Sequence, residues 1–295
     1  MVWLIGCKGM LGSEIVRQFE NGDIAFVGTD RDVDITDRGA LQRFADAHEG
    51  ITWIINCSAY TAVDKAEDEE AAAAALNDTG AANIAREAKR IGAKMIHIST
   101  DYVFDGSGSS PYTEDMPLSP IGVYGKTKAA GEQAVQESGC EWYIFRTAWL
   151  YGYDGRNFVY TMIQLMNSRD RITVVHDQRG SPTFAADLAR CIVMTVLAAA
   201  NGQAIPQGVY HCTDLGEITW FDFACEIYRI GREKGKITNE CRIEPCTTDE
   251  YPTRARRPAY SVLSKAKIQK ALHTILPDWK ESLRAFISSP LFSLK

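Results

Sequence analysis

The stretch "VYGKTKAAGE" places Tyr124 and Lys128 four residues apart in a run that reads as a helix. At that spacing two side chains sit one above the other on one face. A phenol has a reference pKa of about 10, and a nearby ammonium favours the phenolate, drawing the group toward the range where a positioned acid or base works best. The spacing therefore predicts a proton-transfer pair in which Lys128 lowers the pKa of Tyr124. The spacing alone arises easily by chance; a third residue gives it weight. In "HISTDYVFDG" an apolar strand pattern ends at Ser99 and Thr100, and open α/β sheets bind ligands just outside such carboxyl ends. The Thr100 hydroxyl can then address the same oxygen as Tyr124.

A second chemical signal lies at the start of the chain. Between the strand pattern "VWLIG" and the helical pattern "SEIVRQFE" runs "GCKGMLG", with glycines at Gly6, Gly9 and Gly12. Glycines there permit a tight turn and close approach of the backbone to a pyrophosphate, which the helix N-terminus attracts. The spacing is G-x-x-G-x-x-G rather than G-x-G-x-x-G, so the strand before it and the helix after it carry the assignment. Asp30, at the end of the second strand pattern, stands where an acidic residue holds an adenosine ribose. Lys8 and Arg31 would suit a 2′-phosphate instead, so NADPH and NADH both stand as expectations.

These residues need a scaffold, and the first 150 residues supply its pattern. Apolar runs ("VWLIG", "DIAFVGT", "TWIINCS", "AKMIHIST", "CEWYIFRTAW") alternate with helical stretches. Such repetition predicts an α/β fold with a doubly wound, Rossmann-like parallel sheet, whose strands are buried on both faces. The expected dinucleotide-binding domain covers residues 1–150, with about 171–200, the strand "RITVVH" and the helix 185–200, returning to it. Residues 201–295, with 151–170 contributing, are expected to form a smaller C-terminal α/β substrate-binding domain. Its pattern is a turn "GQAIPQG", a short strand "VYHCTD", an amphipathic helix "WFDFACEIYRIGREKG" and an irregular loop carrying Arg254, Arg256 and Arg257.

Composition narrows the function classes. A net charge of −6 without a basic stripe argues against nucleic acid. No apolar run approaches the roughly 20 residues of a membrane helix, and the first residues enter a strand at once, so a cytoplasmic protein with no membrane partner is expected. The eight cysteines contain no C-x-x-C, several lie in apolar runs that suit a small buried hydrophobe, and they read as reduced, structural thiols. The five histidines are dispersed, so no metal site is expected from protein ligands.

Taken in order, "NCSAYTAVDKAE", "ISTDYVFDG", "VYGKTKAAGE", "RTAWLYG", "DQRGSPT" and "RRPAYSVL" resemble the dTDP-4-dehydrorhamnose reductase family, within the extended short-chain dehydrogenase/reductases. The resemblance spans nearly the whole chain. It implies an NAD(P)H-dependent oxidoreductase that reduces a nucleotide-linked 4-keto sugar for surface polysaccharide biosynthesis. It implies Thr100, Tyr124 and Lys128 as the catalytic set, and substrate contacts from Asp101, Tyr102, Trp149, Gln178 and Arg257. It implies cofactor contacts from Gly6, Lys8, Met10, Leu11, Asp34, Ile35, Cys57, Ser58, Ala59 and Asn77, beside Gly9, Gly12, Asp30 and Arg31. Some family members use magnesium at a dimer contact, so Mg2+ and a homodimer belong to the same expectation. Two rivals stand: a related epimerase or 4,6-dehydratase, and a non-catalytic cofactor-binding subunit. Similar dehydratases carry Asp-Glu after the threonine, where this chain has Asp101 and Tyr102, which weighs against dehydration.

Overall fold

The computed structural model describes residues 1–294. Its central element is β1 (Val2–Ile5), every residue of which is buried. Val2 and Leu4 face one core while Trp3 and Ile5 face another, which is why the run is apolar throughout rather than alternating. Around it β2 (Phe26–Thr29), β3 (Trp53–Asn56), β4 (Lys94–Thr100), β5 (Trp142–Thr147) and the strand Gly208–His211 form a six-stranded sheet. From one edge the order is Gly208–His211, β5, β4, β3, β1, β2, and all pairs are parallel. The chain direction of travel reverses between β1 and β3, which marks the crevice at their carboxyl ends.

Helices cover both faces, as parallel crossovers require. On one side α1 (Met10–Asn21) packs with the helix Ala185–Ala200, burying Leu11, Ile15 and Phe19 against Leu188 and Ile192. On the other lie α2 (Arg38–Asp46), through Leu41, and α5 (Ala81–Ile91), through Ile84 and Ala85. Two short helices, α3 (Val63–Ala66) and α4 (Glu70–Ala74), lead through a π-helical turn, Ala75–Gly80, into α5. Helix α6 (Val123–Glu137) carries the tyrosine and the lysine.

A third core gathers Tyr151, Val159, Ile163, Ile227, Leu283 and Phe286. Two expectations change here. Arg171–Val175, expected in the main sheet, pairs in parallel with Arg242–Cys246 in a separate two-stranded sheet. Its residues alternate between exposed and buried, with only Ile172 and Val174 inside, so the strand has one solvent face and does not suit a sheet covered on both. Conversely, Gly208–His211, assigned to the smaller unit, extends the main sheet along the free edge of β5, burying Tyr210 and His211.

Candidate active site at the carboxyl ends of the strands

Gly6 follows β1 with φ +80°, a region that L side chains avoid. A Cβ there would stand 2.9 Å from the backbone nitrogen of Ser58, and one on Gly12 would stand 2.0 Å from the carbonyl oxygen of Gly6. Both glycines are therefore fixed by close approach of backbone to backbone, and the loop ends at the N-terminus of α1. Gly9 is the residue before α1, Leu11 is buried, and the Met10 side chain reaches Gly152. Cys57, Ser58 and Ala59 leave β3 directly across the crevice.

At the end of β2, Asp30 accepts hydrogen bonds from the backbone nitrogens of Lys8 (3.2 Å) and Arg31 (3.0 Å). The carboxylate thus braces the glycine loop. The side chains of Lys8 and Arg31 are exposed. Asp34 is also exposed and binds Thr36, while Ile35 is buried against Gly80.

Thr100 ends β4, and its hydroxyl accepts from the Tyr102 nitrogen while donating to Asp101 Oδ1 at 2.9 Å. Tyr102 meets Tyr124 edge to face, with ring centroids 5.6 Å apart. Burial raises the Tyr124 phenol well above its ordinary value, Asp101 and Tyr102 add to the rise, and hydrogen bonding with Thr100 opposes it. This corrects the expectation of a lowered pKa. Lys128 is not among the groups that shift the phenol. Its Nζ donates to the Ile98 carbonyl oxygen at 2.6 Å and faces His97 Nε2 at 3.4 Å. Burial pushes the amine down to about 8, with Glu132 and Cys57 opposing. A neutral phenol is what a proton donor must be before it reacts, so the raised value suits reduction.

Asp101 is 1% exposed, and burial pushes its carboxyl up to about 6. Ser261 and Thr100 lie close enough to oppose this shift, yet Oδ2 has no partner of hydrogen-bond geometry among the described residues. Tyr102 is likewise pushed up to about 12, by burial first.

The position of α6 depends on Gly125, Gly131 and Glu67, which sequence reading did not single out, and on Asn77, which it did. A Cβ on Gly125 would stand 2.1 Å from the Tyr102 carbonyl oxygen, and one on Gly131 2.0 Å from that of Asn77. Asn77 sits in the π-helical turn and clasps the Tyr60 backbone through both its nitrogen and its oxygen, with a further bond to Thr127. Glu67 accepts from the Val123 nitrogen at the start of α6. Beneath the site, Glu132 (0% exposed) forms a fork with Arg146 and accepts from Ser99.

The remaining expected residues are distributed around this centre. Trp149 has φ +46° and stacks on Trp220 with centroids 3.5 Å apart, and it also lies against Gly180, whose missing Cβ leaves room for the indole. Arg257 donates to Asp64 at 2.9 Å and to the Tyr102 hydroxyl at 3.4 Å. Arg254 is paired with Asp68. Gln178, 6% exposed, donates to Thr248. Sequence reading missed Trp220, Asp64, Ser261, Asn56 and His97. The aspartate was visible in "AVDKAE" as an acid at the start of a helical run, but its partner lies 193 residues away. Among the described residues no group of three or more His, Cys, Asp or Glu is placed to hold a metal ion, and no helix is long and apolar enough to cross a membrane.

A parallel sheet with a glycine loop at its switch point and a Tyr-x-x-x-Lys helix beside it defines a nicotinamide-binding fold of the short-chain dehydrogenase/reductase type. The family model described as "RmlD substrate binding domain" matches residues 1–291. The chain is 42% identical to a dTDP-4-dehydrorhamnose reductase of Streptomyces griseus, over 95% of this chain and 91% of that one. A crystal structure of a dTDP-4-dehydrorhamnose reductase from Clostridium acetobutylicum superposes with TM-score 0.88 at 42% identity, covering 97% and 98% of the two chains. One from Bacillus anthracis, in complex with NADP, gives 0.89 at 35% identity and the same coverage. The chain belongs to the dTDP-4-dehydrorhamnose reductase family.

Proposed function

We propose that the chain reduces the C4 carbonyl of dTDP-4-dehydro-6-deoxy-L-mannose to give dTDP-L-rhamnose, with NADPH preferred over NADH. The observation that supports this reading is that Tyr124 lies against Thr100 at the mouth of the sheet, with a buried Lys128 one turn further along the same helix. The family relationship narrows the substrate to a nucleotide-linked keto sugar.

The crevice fits a dinucleotide. The Gly6 turn, the open N-terminus of α1 and the Cys57–Ala59 segment face each other with no room for side chains at Gly6 or Gly12. Gly9, Met10 and Leu11 would line the pyrophosphate, Ile35 and Asp34 the adenine end, and Asn77 the wall beside the nicotinamide. With Asp30 already engaged by two backbone nitrogens, the exposed Lys8 and Arg31 are left to meet a 2′-phosphate, which supports NADPH.

When bound in the crevice, a reduced nicotinamide would supply the hydride for the sugar carbon. The protein's part is to hold the carbonyl and to deliver a proton. Thr100 would position the carbonyl oxygen by turning its one hydroxyl proton from Asp101 toward it. Tyr124, kept neutral by burial, gives its phenolic proton as the alkoxide forms, and the developing charge meets donors that are already in place. Lys128 would hold the nicotinamide ribose from one turn further along α6. Tyr102 and Arg257, tied to each other, and Trp149 on its Trp220 support would take the sugar and nucleotide. Residues 1–150 would thus hold the cofactor and the unit around the core of Tyr151 and Phe286 the substrate.

The test is coenzyme oxidation with dTDP-4-dehydro-6-deoxy-L-mannose, run with each nicotinamide and with EDTA. Stoichiometric oxidation of NADPH is expected. Tyr124→Phe should lower kcat by roughly 10²–10⁴-fold with NADPH affinity little changed. Turnover without net coenzyme oxidation would instead mean an epimerase.

A further inference from the structure

Beneath the amine of Lys128 runs a chain of polar groups that the reaction scheme above does not use. Ser58 donates to Asn56 Oδ1 through its backbone nitrogen (3.0 Å) and its hydroxyl (2.5 Å). A backbone N–H can only donate, so the atom facing it is the amide oxygen, and the Asn56 amide nitrogen faces the other way. That nitrogen lies 3.2 Å from His97 Nδ1. Nδ1 must therefore accept, which excludes an imidazolium and puts the ring proton on Nε2. Nε2 is the atom 3.4 Å from Lys128 Nζ. Asn56, His97 and Lys128 are all nearly inaccessible, at 1%, 1% and 2% exposure.

An N–H aimed at a lysine nitrogen is a hydrogen bond only if that nitrogen has a lone pair, which a neutral amine has and an ammonium lacks. We propose that His97 is a positioning residue for Lys128: locked by Asn56 with Nε2–H forward, it disfavours the ammonium and holds the amine poised between its two charge states. Burial acts in the same direction, and the histidine stays neutral because burial and the Lys128 charge both lower its own pKa. The other ionisable groups facing Nζ are Cys57 at the end of β3 and Glu132 on α6, with Tyr124 one turn back on the same helix. Cys57 is itself held as the thiol by burial, and Glu132 is shared with Arg146 and Ser99.

The functional consequence rests on the reductase reading. An ordinary lysine keeps its proton up to about pH 10. A poised one gains and loses its proton within the pH range in which the enzyme works, so the charge beside Tyr124 on α6 follows pH.

The experiment needs neither substrate nor coenzyme, so it can fail while the reductase assignment stands, and the converse. In the full-length protein labelled with 13Cε-lysine and 15N-histidine, Lys128 is assigned by the signal lost in Lys128→Met. The wild type should show His97 as the Nε2–H tautomer throughout and a Lys128 midpoint about two pH units below that of an ordinary lysine, roughly 10.4. Asn56→Asp replaces the donor to Nδ1 with an acceptor and turns the Nε2 lone pair toward Nζ. The midpoint should then rise by at least one unit, a tenfold gain in proton affinity. The added charge is controlled by the same change in a His97→Leu background, where the rise should shrink by half or more. A Nδ1–H tautomer, an imidazolium, an ordinary Lys128 midpoint, or an equal rise with and without His97 each overturns the proposal. The first three need only wild-type protein, so a variant that fails to fold does not remove the test.

Discussion

The Cβ that Gly131 lacks would stand 2.0 Å from the carbonyl oxygen of Asn77. Helix α6 thus lies against the π-helical turn backbone to backbone, and a side chain at this position forces the two apart. Gly131→Ala is expected to destabilise the protein by about 1–3 kcal/mol. It should also impair turnover more than coenzyme binding, since the displaced helix carries Tyr124 and Lys128. Urea unfolding, together with steady-state kinetics on the folded fraction, checks both.

Asp101 makes stability depend on pH in a defined direction. Its carboxyl is pushed up to about 6 by burial in the folded protein, against 3.8 for the free group. Between those values the folded state binds the proton that the unfolded state has lost, so stability falls as pH rises from 4 to 6. Two units correspond to about 3 kcal/mol. Asp101→Asn should remove that fall: equal to wild type near pH 4, the variant should be the more stable near pH 7. Parallel unfolding curves across this range would refute the buried charge.

Trp220 serves as the support for Trp149. The two indoles are stacked 3.5 Å apart, and Trp149 holds a backbone conformation with φ +46°. Removing the partner with Trp220→Ala forfeits roughly 0.5–1.5 kcal/mol of stacking and leaves Trp149 free to leave the site. A KM for the nucleotide sugar raised up to about tenfold, with kcat little changed, is the expected result. An unaltered KM would take Trp149 out of the substrate contacts.

Coenzyme choice should reside in an exposed cation. Arg31→Ala is expected to lower affinity for NADPH by about 10–100-fold, the worth of a hydrogen bond to a charged group, and to leave NADH affinity nearly unchanged. Fluorescence titration with each reduced coenzyme measures the difference. Equal losses for both would show Arg31 acting on the loop rather than on a phosphate.

Much of the main sheet was legible because strands buried on both faces leave long apolar runs, and β1, β3, β4 and β5 all did. Assignment failed for strands whose partner is chosen far along the chain. Arg171–Val175 finds Arg242–Cys246 and Gly208–His211 finds β5, and no local pattern encodes those choices. The same limit applies to the candidate site. Thr100, Tyr124 and Lys128 announced themselves by residue type and spacing, whereas Asp64 beside Arg257 and Trp220 beneath Trp149 meet only in the folded chain.

By itself the amino-acid sequence determined which groups are available: a glycine loop before a helix, a phenol and an amine one helical turn apart, a hydroxyl at a strand end. Only the tertiary structure decided how those groups are charged. Spacing predicts that the amine acidifies the phenol, but burial raises the phenol, and the Ile98 carbonyl and the His97 ring claim the amine. Proton affinity depends on lost water and on neighbours from other strands, and both come into being only when the chain closes around the site.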